Sequence, residues 1–298
     1  MLLDCVIIGG GPAGLNASLV LARAKKNIIL LDEDKPRNAV THESHGFITR
    51  DGIKPSEFKR IAKQDLEKYP NLSVENQRVI DIKKENESFI IHTDDGNSYH
   101  SRKVILATGL QDVLPDIEGI HEFYGTSLFV CPFCDGWELK DRRLVVIAES
   151  DRVMHLTKMV SNWSSDLVVC TNGTNIFSKE QKELLSDKNI KVIEDEIASL
   201  QGDNGYLLKV KFKDGKEMER EGGFVACELK QASILAEKLG CDMNQMSGIE
   251  IDDFGRTNID GIYASGDTTF SLPQLIVAAS EGSKVASGVV SDLINEDF

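Results

Sequence analysis

The 298-residue sequence predicts an α/β protein of duplicated architecture, and three observations predict it. Two buried-strand signals, Leu2 to Ile8 and Leu144 to Ala148, each run into a helical pattern and then a further short apolar strand, the rhythm of a βαβ unit. The turn of the first unit holds three consecutive glycines, Gly9, Gly10 and Gly11. The length suits two domains at about 150 residues each. No low-complexity tract or long Gly/Ser linker divides the chain, so the crossings near Pro115 and near Met243 are expected to be short, between intimately packed domains.

Taken in order, Leu2 to Ile8 is apolar and β-branched and reads as a buried strand, and Leu15, Leu19 and Leu21 give helical spacing behind the glycines. Asn27 to Leu31 is a second buried strand that closes on Asp32, Glu33 and Asp34. Ser56 to Tyr69 is an amphipathic helix introduced by Pro55. Val74 to Ile82, Phe89 to Thr93 and Ser98 to His100 alternate as strands around the Asp95-Gly96 turn, a β-meander inserted between parallel elements. Val104 to Ala107 is another buried strand and ends in Thr108-Gly109.

The pattern restarts after Pro115. Leu144 to Ala148 is a strand, Val153 to Trp163 a helix, Leu167 to Cys170 a strand and Lys179 to Leu185 a helix. Lys191 to Ile193, Leu207 to Phe212 and the Asp214-Gly215 turn suggest a further small sheet. From Gly261 the chain reads GIYASGD, and Leu272 to Val290 is a long helical pattern beginning near Pro273.

Composition excludes several functions. Lys and Arg number 34 against 48 Asp and Glu, a formal charge of −14, so nucleic acid and anionic membrane are poor partners. No apolar run approaches the roughly 20 residues of a membrane helix. The start MLLDCVIIGGG has an acid at Asp4, no basic region and an immediate functional turn, so it does not read as a signal peptide. Six cysteines in such a chain point to a reducing compartment, and a cytoplasmic location is expected.

Two constellations carry chemistry. In Gly9-Gly10-Gly11-Pro12-Ala13-Gly14, Gly9 permits a tight turn, Gly11 lets backbone amides approach a pyrophosphate and Gly14 lets helix and strand pack closely. Asp32, eighteen residues after the third glycine of the motif, is placed to accept from an adenosine ribose hydroxyl. The second constellation is Cys131-Pro132-Phe133-Cys134-Asp135-Gly136, where two cysteines two residues apart can close a disulfide ring or bind a metal, with a carboxylate at hand to move protons. A structural zinc site needs two more ligands at related spacing, whereas Cys170, Cys227 and Cys241 stand alone and the nearest downstream histidine is His155, so no metal is expected.

The order and spacing of GGGPAG, ATG at 107–109, CPFCDG at 131–136 and ASGD at 264–267 with Gln274 following resemble the low-molecular-weight thioredoxin reductase family of flavoproteins over essentially the whole chain. Pro36-Arg37-Asn38, His45-Gly46-Phe47 and Arg50-Asp51-Gly52 look more like the branch that includes dithiol oxidases closing disulfides in natural products such as gliotoxin and holomycin. The resemblance implies two Rossmann-like, three-layer ββα nucleotide-binding-type domains: a discontinuous FAD domain at 1–114 and 243–298, and a central redox domain at 115–242. It implies that Gly9, Gly11, Pro12, Ala13, Gly14 and Asp32 hold the pyrophosphate and adenosine end of FAD, with Arg37, Asn38, His45, Thr108, Gly109, Gly266 and Asp267 also on the cofactor. Gln274, at a helix start, would face the pyrimidine edge of the flavin, where a helix N-terminus stabilises negative charge on the reduced ring. By the same match Cys134 is the thiol nearest the flavin, Cys131 exchanges with substrate, Asp135 is the acid/base and the protein is a homodimer.

The sequence departs from the family in the central domain, where such reductases carry a glycine fingerprint for NADPH followed by basic residues for its 2′-phosphate. Here the strand LVVIA runs into Glu149-Ser150-Asp151-Arg152-Val153, with no glycine, and the next strand ends in Thr171-Asn172-Gly173 with no arginine or lysine. The expectation is a redox domain that does not bind NADPH in the usual way. Electrons would then pass between a dithiol and oxygen, or from a ferredoxin-type donor to a thioredoxin-like protein. A redox sensor without turnover is the alternative of a different class, and Asp135 beside Cys134 argues for catalysis, since a sensor needs no proton donor. Cys5, Cys170, Cys227 and Cys241 read as inert buried thiols. His42 and His45, close in sequence, are candidates to line the flavin or substrate site but read first as loop histidines satisfied by local hydrogen bonds, and Trp163, Met154 and Met159 read as core packing.

Overall fold

Leu2–Ile8 forms strand β1, buried almost throughout, and the glycine turn leads into helix α1 (Pro12–Arg23). Strand β2 (Ile28–Leu31), helix α2 (Pro55–Leu66) and strands β3 (Leu72–Glu75), β4 (Val79–Glu85), β5 (Ser88–Thr93), β6 (Ser98–Leu106) and β7 (Leu110–Val113) follow. The middle of the chain holds α3 (Ile120–Phe123), β8 (Leu128–Phe129), α4 (Pro132–Asp135), β9 (Leu144–Ala148), α5 (Val153–Val160), β10 (Leu167–Cys170) and α6 (Lys179–Asp187). It continues with β11 (Lys191–Ile193), β12 (Ile197–Asp203), β13 (Tyr206–Phe212), β14 (Glu217–Glu219), β15 (Gly222–Ala226) and β16 (Glu228–Gln231). The chain closes with α7 (Leu235–Leu239), β17 (Ile262–Ala264) and α8 (Leu275–Asp297). The structure, a computed structural model, describes residues 1–270 and 272–298.

Two compact units emerge: one of residues Met1–Ala39, Gly46–Gln111 and Lys230–Phe298, the other of Val40–His45 and Asp112–Leu229. In the first, the sheet runs β3-β2-β1-β6-β5-β4, with β17 also on β6. The pairs β3–β2, β2–β1, β1–β6 and β6–β17 are parallel, and β4–β5 and β5–β6 are antiparallel. Strand alternation divides its core: Cys5, Ile7 and Ile105 pack with α1 and α8, whereas Val6, Ile8, Val104 and Leu106 pack with Phe89, Ile91 and Leu235 on the other face. The second unit repeats the plan, with a parallel sheet β11-β10-β9-β15-β8 and an antiparallel sheet β12-β13-β14. Val145 and Ile147 face Leu200, Leu207 and Val210; Leu144, Val146 and Ala148 face Val153, Leu156 and Val160 of α5.

Several boundaries differ from expectation for physical reasons. Val74 to Ile82 is two strands, because β3 extends the parallel sheet while β4 starts the meander. Ser98 to His100 and Val104 to Ala107 belong to one nine-residue strand, β6, whose first half pairs with β5 and second half with β17. The helix expected to reach Trp163 ends at Val160, and the C-terminal helix runs from Leu275 to Asp297 instead of Leu272 to Val290. The chain rejoins the first unit at Lys230, ahead of the crossing expected near Met243, since Leu235 and Ala236 of α7 lie in its core beside Val79 and Ile82. Residues Val40–His45 lie with the second unit, where a Cβ on Gly125 (φ +86°) would meet the Val40 carbonyl oxygen at 2.3 Å. Among the described residues no helix is long and apolar enough to cross a membrane.

Candidate functional site

In the first unit the loops that carry the expected cofactor residues leave the C-terminal ends of adjacent parallel strands, where α/β sheets bind ligands. The glycine turn follows β1, Asp32 follows β2, Thr108-Gly109 follows β6 and Gly266-Asp267 follows β17. The glycines of the turn play different parts. A Cβ on Gly9 (φ +107°) would meet the Ala107 carbonyl oxygen at 2.2 Å and one on Gly14 the Gly9 carbonyl oxygen at 1.9 Å, so both are demanded by the fold. A Cβ on Gly11 meets nothing within 4 Å. The space above Gly11 is therefore a cradle open to a ligand, at the start of a twelve-residue helix with Pro12 in its first turn and no acidic residue there. These features fit an anionic group such as a pyrophosphate.

Asp32 is buried and accepts from the Gly10 backbone N–H at 2.9 Å. Its other oxygen is 2.5 Å from the Lys59 ammonium of α2, which also donates to Asp34 at 2.5 Å and holds the Asp34 carboxyl below the usual range. Arg37, in a 3-10 turn with Asn38, lies 3.5 Å from the Asp267 carboxylate, so two of the expected cofactor residues meet. Gly266 (φ +79°) donates its N–H to Glu281 of α8 at 2.9 Å, and Thr108 and Thr268 approach through their hydroxyls at 3.4 Å. Gln274 stands at the N-cap position of α8, with no side-chain hydrogen bond to the helix. A Cβ on Gly282 of α8 would strike the Ala13 carbonyl oxygen at 2.2 Å, which is how α8 closes onto α1.

In the second unit Cys131 and Cys134 are joined as a disulfide across α4, with Cα atoms 5.3 Å apart, inside the normal range. Cys131 caps this one-turn helix, Pro132 presets its first turn, and the Cys134 and Asp135 N–H groups both donate to the Cys131 carbonyl at 3.1 Å. Gly136 is required beneath it: a Cβ there would meet the Pro132 carbonyl at 2.4 Å and the Trp163 ring at 2.7 Å. Trp163 thus supports the redox helix, and Phe133 meets its ring edge-on at 5.9 Å. Phe133 and Trp137 are 59% and 67% exposed beside the half-buried cysteines.

Asp135 is 9% exposed. Its carboxyl is pushed up to about 7, mainly by burial and further by the negative Glu138, while His45 acts in the opposite direction. His45 Nε2 lies 3.6 Å from Glu138 and 3.8 Å from Glu43. His45, expected on the cofactor, lies in the second unit, where it acts electrostatically on Asp135, the expected acid/base.

The two units permit a residue-by-residue comparison of their turns. Ile8 is in register with Leu31 and Ile147 with Cys170, so Ala148 stands where Gly9 does, Ser150 where Gly11 does, Val153 where Gly14 does and Thr171 where Asp32 does. Helix α5 starts at Val153, two positions later than α1 does in its turn. Glu149 accepts from the Asn172 side-chain amide at 2.5 Å, and Asn172 in turn accepts from the Ile197 N–H at 2.8 Å. The Thr171 hydroxyl is committed to the Thr174 carbonyl at 2.5 Å. These residues do not fit a dinucleotide pyrophosphate and ribose.

The remaining cysteines, Cys5, Cys170, Cys227 and Cys241, are buried and lie outside the disulfide; burial pushes the Cys170 thiol up to about 12 and Cys5 higher still. Among the described residues no group of three or more His, Cys, Asp or Glu side chains converges as a metal site. Lys59, Glu138 and Glu281 escaped the sequence reading. Lys59 falls on the buried stripe of α2 with Ala62 and Leu66, and a lysine on such a stripe signals an acidic partner. Glu138 follows Asp135 at a like-charge spacing of three, which was the available clue.

Residues 3–282 match the model of the pyridine nucleotide-disulphide oxidoreductase family. TrxB from Bacillus anthracis, a crystal structure assigned as a thioredoxin reductase, is 48% identical with a TM-score of 0.96, covering 99% of this chain and 100% of that one. The crystal structure of HlmI is 31% identical with a TM-score of 0.94, covering 99% and 93%. Thioredoxin reductase tcpT of Claviceps purpurea is 27% identical over 94% of this chain and 91% of its own. The register-matched sheets, the glycine turn, the redox disulfide and these likenesses together make the chain a thioredoxin-reductase-like enzyme of the pyridine nucleotide-disulphide oxidoreductase family.

Proposed function

We propose that the protein is an FAD-dependent thiol–disulfide oxidoreductase that trades electrons with a dithiol through Cys131 and Cys134 and does not draw them from NADPH. The observation that carries this reading is the Cys131–Cys134 disulfide with the buried Asp135 as its next residue. Gly9, Gly11, Pro12, Ala13 and Gly14 would receive the FAD pyrophosphate, Asp32 its ribose, and Arg37, Asn38, Thr108, Gly109, Gly266, Asp267 and Gln274 the rest of the cofactor. The cradle above Gly11 supports that assignment. FAD, when bound, supplies a two-electron carrier for the electron pair of the dithiol.

The chain's own residues perform the exchange. A substrate thiolate attacks Cys131 Sγ, the Cys131–Cys134 bond breaks and Cys134 Sγ leaves as thiolate, with Asp135 close enough in sequence and buried enough to hold a proton near neutrality. The Glu149–Asn172 hydrogen bond and the displaced start of α5 support the absence of NADPH. The thiol partner is a thioredoxin-like protein or a small dithiol, and the electron partner in place of NADPH is oxygen or a ferredoxin-type donor, with dithiol and oxygen taken as the pair to test first; a homodimer is what the family resemblance implies. Four buried cysteines outside any disulfide fit a reducing, cytoplasmic setting.

Anaerobic titration of the purified protein with NADPH, NADH and dithiothreitol in turn, followed by flavin absorbance, tests this reading. Bleaching by the dithiol alone is expected. Rapid stoichiometric bleaching by NADPH would overturn the nicotinamide-free reading, and turnover with reduced ferredoxin but not with dithiol and oxygen would overturn the choice of partners.

A further inference from the structure

The strap Val40–His45 is separated by more than 80 residues of sequence from the redox motif, yet it belongs to the same compact unit. Gly125 is the residue that lets it lie so close, since any Cβ there would collide with the Val40 backbone. The strap delivers the imidazole of His45 to Glu138, three residues after Asp135. His45 is half-buried, with 17% of its side chain exposed, and Glu43 and Glu138 beside it retain 54% and 38%. A buried acid next to a redox disulfide has thus been given a partly buried imidazole and two wetter carboxylates on its solvent side.

We propose that His45 and Glu138 form a proton relay between Asp135 and solvent that serves thiol–disulfide exchange at Cys131–Cys134. This rests on the thiol–disulfide reading above. In the half-reaction with a dithiol, an S–S bond forms in the substrate as the Cys131–Cys134 bond breaks. The substrate is oxidised and the enzyme disulfide is reduced by two electrons. The two protons of the substrate thiols end on the cysteine sulfurs or in solvent, so no further oxidant is required. A buried Asp135 can take up one such proton but must then release it before the next turnover. His45 Nε2 lies 3.6 Å from Glu138 and 3.8 Å from Glu43, within ion-pair range and within reach of a direct hydrogen bond after a small side-chain adjustment.

Among the described contacts, the charged groups acting on Asp135 include Glu138 and His45, and the carboxylates near His45 include Glu43 and Glu138. Their signs make the relay distinguishable from mere support. Removing the Glu138 charge eases ionisation of Asp135, and removing His45, which acts on Asp135 in the opposite direction, opposes it.

The test uses the full-length protein as purified, mixed anaerobically with dithiothreitol between pH 5.5 and 9. The reaction is quenched in acid, and the reduced Cys131 and Cys134 are counted by alkylation and mass spectrometry. Glu138→Gln and His45→Asn are each expected to slow reduction about tenfold. The pH limb that reports Asp135 should move to lower pH in the first and to higher pH in the second. Imidazole added to His45→Gly should restore the rate and leave wild type unchanged. Variants matching wild type in rate and pH limb, or slowed variants with no opposite shifts and no imidazole rescue, overturn the relay alone. A wild-type disulfide that dithiothreitol does not reduce overturns the relay together with the reading it rests on.

Discussion

The Glu149 carboxylate accepts a hydrogen bond from the Asn172 side chain at 2.5 Å, joining the ends of two parallel strands where the corresponding turn of the first unit holds glycines. On the proposed nicotinamide-free reading, a negative group is tolerated there because no anion has to dock.

The wild-type protein should consequently show no binding of NADPH in titration calorimetry at millimolar concentration. Glu149→Ala should change unfolding stability by no more than about 1 kcal/mol, the worth of one exposed hydrogen bond. A saturable NADPH isotherm for the wild type contradicts the first statement.

Gly11 and Gly14 should respond oppositely to alanine. Gly11→Ala places its methyl in open space and should leave the melting temperature of the cofactor-free protein within about 2 °C, by a surface-like effect. It should nevertheless lower the flavin-to-protein ratio at least about tenfold. Gly14→Ala drives a methyl against the Gly9 carbonyl at 1.9 Å and should cost upwards of about 2 kcal/mol in chemical denaturation. Equal melting temperatures for the two cofactor-free variants would falsify this division of roles.

Lys59 pairs with the buried Asp32 and with Asp34. Lys59→Met should destabilise the protein by about 3 kcal/mol, because it leaves a buried carboxylate without its cation. Chemical denaturation that shows a loss below about 0.5 kcal/mol would mean that water replaces the lysine.

Asp135 makes stability depend on pH. Its carboxyl is raised from 3.8 to about 7, so the folded protein keeps a proton that the unfolded chain gives up. Its favourable contribution is complete below about pH 4 and is lost as pH rises through about 7. Asp135→Asn should therefore gain stability over wild type at pH 8, up to about 4 kcal/mol, and little at pH 4, while disulfide exchange is lost. Thermal unfolding at the two pH values checks it, and a gain at pH 4 equal to that at pH 8 removes burial as the cause.

The fold was legible wherever a single run of residues carries its own periodicity. Leu2–Ile8, Leu144–Ala148 and Leu167–Cys170 are buried strands because their apolar, β-branched stretches admit little else. The breaks were harder to see. Asn76 to Arg78 separates two strands because one sheet edge ends and a meander begins, and Ser98–Leu106 is a single strand because it serves both, facts that depend on the partner strands. At the site, the fingerprint from Gly9 to Gly14 and the pair Cys131 and Cys134 were readable, since backbone conformation and short spacing are local. Lys59 on Asp32, His45 and Glu138 beside Asp135, and Trp163 beneath Gly136 were not, since each joins residues from distant stretches.

The sequence by itself determined a duplicated α/β chain with one intact glycine turn, one altered turn and a dithiol next to an acid. Those features follow from residue types at fixed spacings of one to twenty or so positions. It took the tertiary structure to show that Glu149 is tied to Asn172, that Lys59 pairs with both Asp32 and Asp34 and that His45 leaves the first unit's stretch of chain to join the unit of Asp135. Electrostatic partnership depends on distance in space and on burial, and neither exists until the strands have paired and the cores have closed.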